Sequence, residues 1–121
     1  MNITATVIQW LNGRPHLVAA GLEAFATVRK ERPPRFITVE RTGGAIDTFR
    51  DLPNLAIQVW GQSVAECEDL SNLLRRELPH LTEISEIARV SIGSTYNWPD
   101  PDTKQARWQT VISLVVAWPN P

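Results

Sequence analysis

A nucleophilic triad needs a base within reach of a Ser or Cys and a third group to orient that base. The chain offers two histidines, His16 and His80. Each follows a helix-stop signal, Asn12-Gly13-Arg14-Pro15 and Pro79 respectively, so both are read as histidines of surface connections. They are far apart in sequence and show no metal-ligand spacing. The one cysteine, Cys67, lies between Glu66 and Glu68, which disfavour a thiolate, and falls on an apolar helical stripe. A single Cys excludes an internal disulfide and a Cys-based zinc cage. Asp100-Pro101-Asp102 pairs two carboxylates but lacks the frame and the terminal Glu of a calcium loop, and reads as a turn. Thr42-Gly43-Gly44 has no Gly-Lys-Ser/Thr and no helix directly behind it, so it reads as a strand-ending turn rather than a phosphate cradle. These residues predict no enzyme, no metal and no cofactor.

The elements that carry these residues are legible. Ile3, Val7, Trp10 and Leu11 share one helical face, which predicts a helix over 3–12 with Asn2 as its N-cap. Gly13 is expected at the left-handed position after it. Residues 22–28 alternate as a strand would, although their alanines also suit a helix. Residues 29–35 form an exposed connection with Pro33-Pro34. Strands are predicted over 36–41 and 55–60, with a polar loop over 45–53 between them. Ser63-Val64-Ala65-Glu66 is a capping box opening a helix whose stripe is Val64, Cys67, Leu70, Leu74 and Leu78, ended by Pro79. A strand over 87–95 places Ala88, Val90 and Ile92 on one face. Residues 96–105 form a turn-rich connection, and 107–118 form the last and longest strand, apolar on both faces at its end as suits a central strand, and stopped by Pro119. The pattern predicts an α+β fold: a single mostly antiparallel sheet packed on one face by two helices, with the other face left to solvent or a partner.

Composition agrees with one domain over 1–121. Apolar residues make up 43% and charged residues 21%, ordinary values that argue against wholesale disorder. The net charge is −1, unlike the strongly basic footprint of a dedicated nucleic-acid binder. The start lacks a basic segment and a long apolar run, so no signal peptide and no membrane span are predicted, and a reducing cytoplasm is expected. Charge is uneven: Arg29, Lys30, Arg32, Arg35 and Arg41 face only Glu31 and Glu40 within 29–41, as a solvated loop or a contact with an acidic partner surface. Five of nine aromatics are Trp. Trp10, Trp108 and Trp118 fall on apolar faces and are expected in the core. Trp60 is out of phase with Leu55, Ile57 and Val59, and Trp98 lies in a polar loop. Both are open to subunit contact or to simple local packing.

In combination these features resemble the tail terminator (tail completion) proteins of long-tailed bacteriophages, the actinobacterial siphophage type in particular. The resemblance rests on several segments in order and at family-like spacing, from about residue 33 to 118. They are the Pro-rich lead-in to Pro34-Arg35-Phe36-Ile37-Thr38-Val39-Glu40-Arg41-Thr42-Gly43-Gly44, the Leu55-Ala56-Ile57-Gln58-Val59-Trp60 strand and the amphipathic helix directly after it. Pro99-Asp100-Pro101-Asp102 ahead of Arg107-Trp108-Gln109 completes the set.

The resemblance implies a subunit of a homo-hexameric ring at the head-proximal end of the phage tail, assembled in the host cytoplasm. Such a ring caps the tail tube protein, ends tube polymerisation and presents a joining surface to the head–tail connector or stopper protein. DNA passes through such a ring without sequence-specific binding, and no membrane is involved. Contact residues are expected on projecting loops. The candidates are Arg41, Thr42, Gly43, Gly44, Asp47, Arg50, Trp60, Trp98, Asp100, Asp102 and Arg107. Another neck or head–tail joining protein is the alternative within the same class. A small cytoplasmic enzyme or ligand-binding domain is the alternative outside it, and would need a convergent polar pocket.

Overall fold

The computed structural model describes residues 2–117. The expected core placement of Trp118 and the stop at Pro119 lie outside these residues.

Helix α1 spans Ile3–Asn12, and the Asn2 side chain accepts from the Ala5 amide as the predicted cap. Ile3, Val7 and Leu11 are its buried stripe. Gly13 is right-handed (φ −98°), not left-handed as expected, because the chain turns directly into a second helix. This helix, α2, spans Pro15–Ala19, with Pro15 in its first turn, where a missing amide costs nothing. His16 therefore sits on a short helix and is exposed.

Strand β1 is only Ala24–Phe25, much shorter than the expected 22–28. It runs parallel to β2, Phe36–Ile46, and β2 pairs antiparallel with β3, Arg50–Gly61. The Asn12 side chain donates to the Ala24 carbonyl (3.1 Å) and accepts from the Ala24 amide (2.8 Å). Helix α3 spans Val64–Glu77 and continues into a 3-10 helix, Leu78–Glu83. Strands β4, Ile87–Asn97, and β5, Ala106–Ala117, complete a five-stranded mixed sheet in the order β1-β2-β3-β5-β4. β5 is paired on both sides, as its apolar character predicts.

The fold class is α+β, as the element order implies, but three helices and a 3-10 segment take the place of the expected two. Their buried side chains (Val7, Leu11, Leu17, Leu74, Leu78 and Leu81) meet Ile37, Val39, Leu55, Ile57, Val59, Ile112, Leu114 and Val116 in one core. The strand residues alternate, so they share one face of the sheet.

Several boundaries differ from the expectations, each for a physical reason. Thr42-Gly43-Gly44 is not a turn. It is a bulge inside β2, where the register slips between Arg41 and Gly43. Residues 45–53 are not a loop either. β2 and β3 run on through most of that span, and the chain reverses only at 47–49. Ala88 is exposed while Ile87 is buried, because a second bulge between Ile87 and Arg89 moves Ile87 into phase with Val90 and Ile92. Val64 is half-exposed at the start of α3, since Cα–Cβ bonds tilt toward a helix N-terminus and carry first-turn side chains past the core. Ser71 takes a buried place on the stripe instead. In the capping box, Ser63 Oγ accepts from the Glu66 amide (3.1 Å), but Glu66 reaches back to the Gln62 amide (3.0 Å) and also pairs with Arg35.

Cys67 is fully buried, and burial together with the nearby Glu66 carboxylate pushes its thiol pKa up to about 11. The thiol is thus neutral near pH 8. Native protein is expected to resist labelling by a thiol reagent, with modification appearing only as the chain unfolds. Rapid stoichiometric labelling of folded protein would contradict this placement.

Candidate functional site

The second face of the sheet carries the side chains that alternate with the core set. Phe36, Trp60 and Arg107 are direct neighbours across β2, β3 and β5, and Thr38, Gln58, Gln109 and Tyr96 form the next row. This face was expected to be solvent or a partner. At one end the chain covers it with its own segment after β1. Phe36 is fully buried, stacked on Trp60 (centroids 5.3 Å apart, 10° between planes) and tilted against Phe25. The Arg32 and Arg107 guanidiniums stand 5.2 and 4.9 Å from the Trp60 ring. Trp60 does point to the opposite face, and local packing accounts for its burial.

A polar ladder crosses the strands beside this cluster. Trp60 Nε1 donates to Thr38 Oγ1 (2.9 Å), which donates to Gln58 Oε1 (2.7 Å). Gln58 Nε2 donates to Gln109 Oε1 (2.7 Å) and to Glu40 (3.2 Å), and Gln109 donates to the Tyr96 hydroxyl. Each member satisfies its neighbour, so the row fixes the sheet rather than presenting free groups.

The loop between β4 and β5 holds three of the predicted site residues, Trp98, Asp100 and Asp102, and the fourth, Arg107, lies just inside β5. Trp98 is half-exposed and meets Tyr96 edge-on (5.7 Å, 89°). Arg107 Nε donates to the Trp98 carbonyl (2.6 Å), tying the loop to β5. Asp100 accepts from the Thr103 hydroxyl and from the amides of Asp102 and Thr103, and the Thr103 hydroxyl bond leads the causes that hold its carboxyl below the ordinary range. Asp100 is thus a turn-forming residue, while Asp102 is exposed.

The other predicted residues gather at the far end of the β2–β3 hairpin. Arg41 donates both terminal nitrogens to the Asp51 carboxylate (2.7 Å each) and its Nε to the Gly43 carbonyl (3.0 Å). That fork holds the Asp51 carboxyl below its usual range and raises Arg41. At the reversal, Asp47 accepts from the amides of Phe49 (2.9 Å) and Arg50 (2.6 Å) and pairs with the Arg50 guanidinium (2.8 Å). The Phe49 amide bond, then Arg50, lowers the Asp47 pKa. Thr42 Oγ1 reaches the Asn54 carbonyl across the bulge.

The Asp51 shift has a sign. A carboxyl whose folded pKa lies below its unfolded value of about 3.9 gives its full stabilisation above that value. The contribution is lost as pH falls through the lower folded pKa. The Arg41 and Asp51 amide NMR signals are expected to hold steady to below the ordinary carboxylate range and then shift, and Asp51→Asn should abolish that step there while leaving the Asp47 step at 47–50. A transition centred at the ordinary value would refute the fork.

Sequence reasoning missed Ile46 and Phe49, which are 62% and 77% exposed at the hairpin end. An aromatic inside an otherwise polar stretch was the available signal. The predicted residues thus fall in two places, the hairpin end and the Trp98 loop, with Trp60 and Arg107 beneath the second. No group of three or more His, Cys, Asp or Glu among the described residues is placed to hold a metal ion. No described helix is long and apolar enough to cross a membrane.

No protein-family model and no curated protein sequence matches the chain.

Proposed function

We propose that this chain is a structural subunit of a ring that caps the tail tube of a long-tailed phage. In that role it ends tube polymerisation and offers the joining surface for the head connector. The fold would then be of the tail-terminator type, and the ring a homo-hexamer at the head-proximal end of the virion tail.

The observation that carries the reading is the division of labour among side chains. All but one of the charged candidate residues are engaged in local bonds: Arg41 with Asp51, Arg50 with Asp47, Arg107 with the Trp98 carbonyl, and Asp100 within its own turn, while Asp102 stands in solvent. Beside exposed polar residues such as Asp102 and Lys104, these loops hold out large apolar side chains: Ile46, Phe49 and Trp98. Apolar side chains on rigid projections serve contact between surfaces.

Size-exclusion chromatography with light scattering, followed by negative-stain imaging with and without purified tail tubes, tests this. Rings in solution, or rings appearing on tube ends, are expected. A strict monomer that never binds tube ends would sink the reading.

A further inference from the structure

We infer that the hairpin end of one copy seats in the groove between α1 and β1 of the next, with Phe49 as the inserted side chain. This deepens the proposed assembly and rests on the chain associating with copies of itself.

The groove has a volume of about 810 Å³ and is walled by Ala5, Ile8, Ala24, Phe25 and Ala26, with Arg29 among its lining residues. It is a shallow, open groove, mainly apolar but edged by Gln9, Asn12 and Thr27, with room for an aromatic ring and a neighbouring aliphatic chain. The hairpin end supplies such a pair in Phe49 and Ile46, the two most exposed large apolar residues described. Asp47 holds the reversal in shape through the Phe49 and Arg50 amides, so the projection is already ordered before it docks.

Charge adds a second match. The Arg29 guanidinium lies 5.1 Å from the Phe25 ring centroid and forms no ion pair among the described residues. On the hairpin, the Asp47 carboxylate stands two residues before Phe49 and keeps 40% of its side-chain surface exposed beside Arg50. Seating Phe49 against Phe25 brings an acidic group to a cation that has no carboxylate partner among the described residues of its own chain.

The contact has to be between copies. β1 pairs with Ile37 and Thr38 near the start of β2, while Ile46 ends that strand. Nine residues of extended chain separate Ile37 from Ile46, about 30 Å. Projection and groove therefore lie at opposite ends of one strand. A contact between two different surfaces runs head to tail, and repeats from copy to copy until a ring closes.

The test uses the full chain. In dilute, dissociated protein Phe49→Ser should melt at the parent temperature, since the side chain is then in solvent, yet it should weaken self-association by at least about thirtyfold, the size of an interface hot spot. Ala5→Cys and Phe49→Cys are made in separate chains, with buried Cys67 left in place. After mild oxidation, their mixture should give a covalent dimer that neither variant gives alone. Phe49→Cys cross-linking to itself as readily, or no cross-link in the mixture either in solution or on tail tubes, overturns the inference. Tube ends capped without the cross-link would leave the proposed function standing and this contact wrong. The cross-link without tube binding would do the reverse.

Discussion

Phe36→Ala is expected to destabilise the domain by about 3–5 kcal/mol, the range for truncating a buried aromatic. Whole domains of this kind are stable by only about 5–15 kcal/mol, so this one change removes a large fraction of the total. Phe36 is fully buried, but it lies outside the core beneath the helices. It is the centre of the second face, stacked on Trp60 and touched by Phe25. A cavity there has no helix to settle into it. Trp60 would lose its stacking partner, and its indole N–H anchors the polar ladder through Thr38 to Gln58 and Gln109. The loss should therefore fall toward the upper end of the range. Urea unfolding of the variant and parent measures it. A loss below about 1 kcal/mol would mean that the second face is a loose cover and not a core of its own.

Gly44→Ala is expected to dismantle the hairpin end while leaving the core standing. Gly44 has φ +111°, a conformation that side-chain-bearing residues rarely adopt. A Cβ built there would lie 2.0 Å from the Leu52 carbonyl oxygen and 2.8 Å from Pro53 Cα. Both obstacles are backbone, so no rotamer change relieves them. The pairing of Gly44 with Pro53, Ala45 with Leu52 and Ile46 with Asp51 must open. The core contacts of Val39 and Ile57 lie farther back along the strands, so the global unfolding midpoint should move less than for Phe36→Ala. Hydrogen exchange of the amides over 43–54 should lose its protection by a factor of ten or more, since opening costs then fall by about 1.4 kcal/mol or more. Self-association should fail with it. Gly43→Ala is the matched comparison: its Cβ would meet nothing within 4 Å, so it carries the backbone strain of φ +156° without the clash, and a smaller effect is expected. Equal protection in Gly44→Ala and parent would contradict the bulge geometry.

Much of the fold was legible because local and tertiary signals agreed. The α1 stripe and its Asn2 cap, the capping box at Ser63 and the alternation along β5 each appear where periodicity placed them. The failures share a cause. Thr42-Gly43-Gly44 has the composition of a turn, yet its glycines serve a bulge whose partner strand lies several residues downstream. Composition reports that a special backbone conformation is needed, not which one. The bulge at Ala88 shifts a strand's phase in the same silent way. The site was half legible. The ion-paired residues at the hairpin end and the Trp98 loop were chosen as loop residues, but Phe49 and the groove it matches were not. Exposure of one side chain and the depth of a groove both depend on contacts distant in sequence.

Asn12 gives the side-chain amide of one residue the hydrogen bonds of a neighbouring strand. Its donor and acceptor take up both outward backbone groups of Ala24. A bare sheet edge invites any extended chain to add itself, and such additions have no built-in limit. At Ala24 that invitation is withdrawn. A neighbour approaching there finds side chains and not open backbone groups. In the proposed ring, where copies would gather in a fixed number, an edge closed to strand addition guards against open-ended growth.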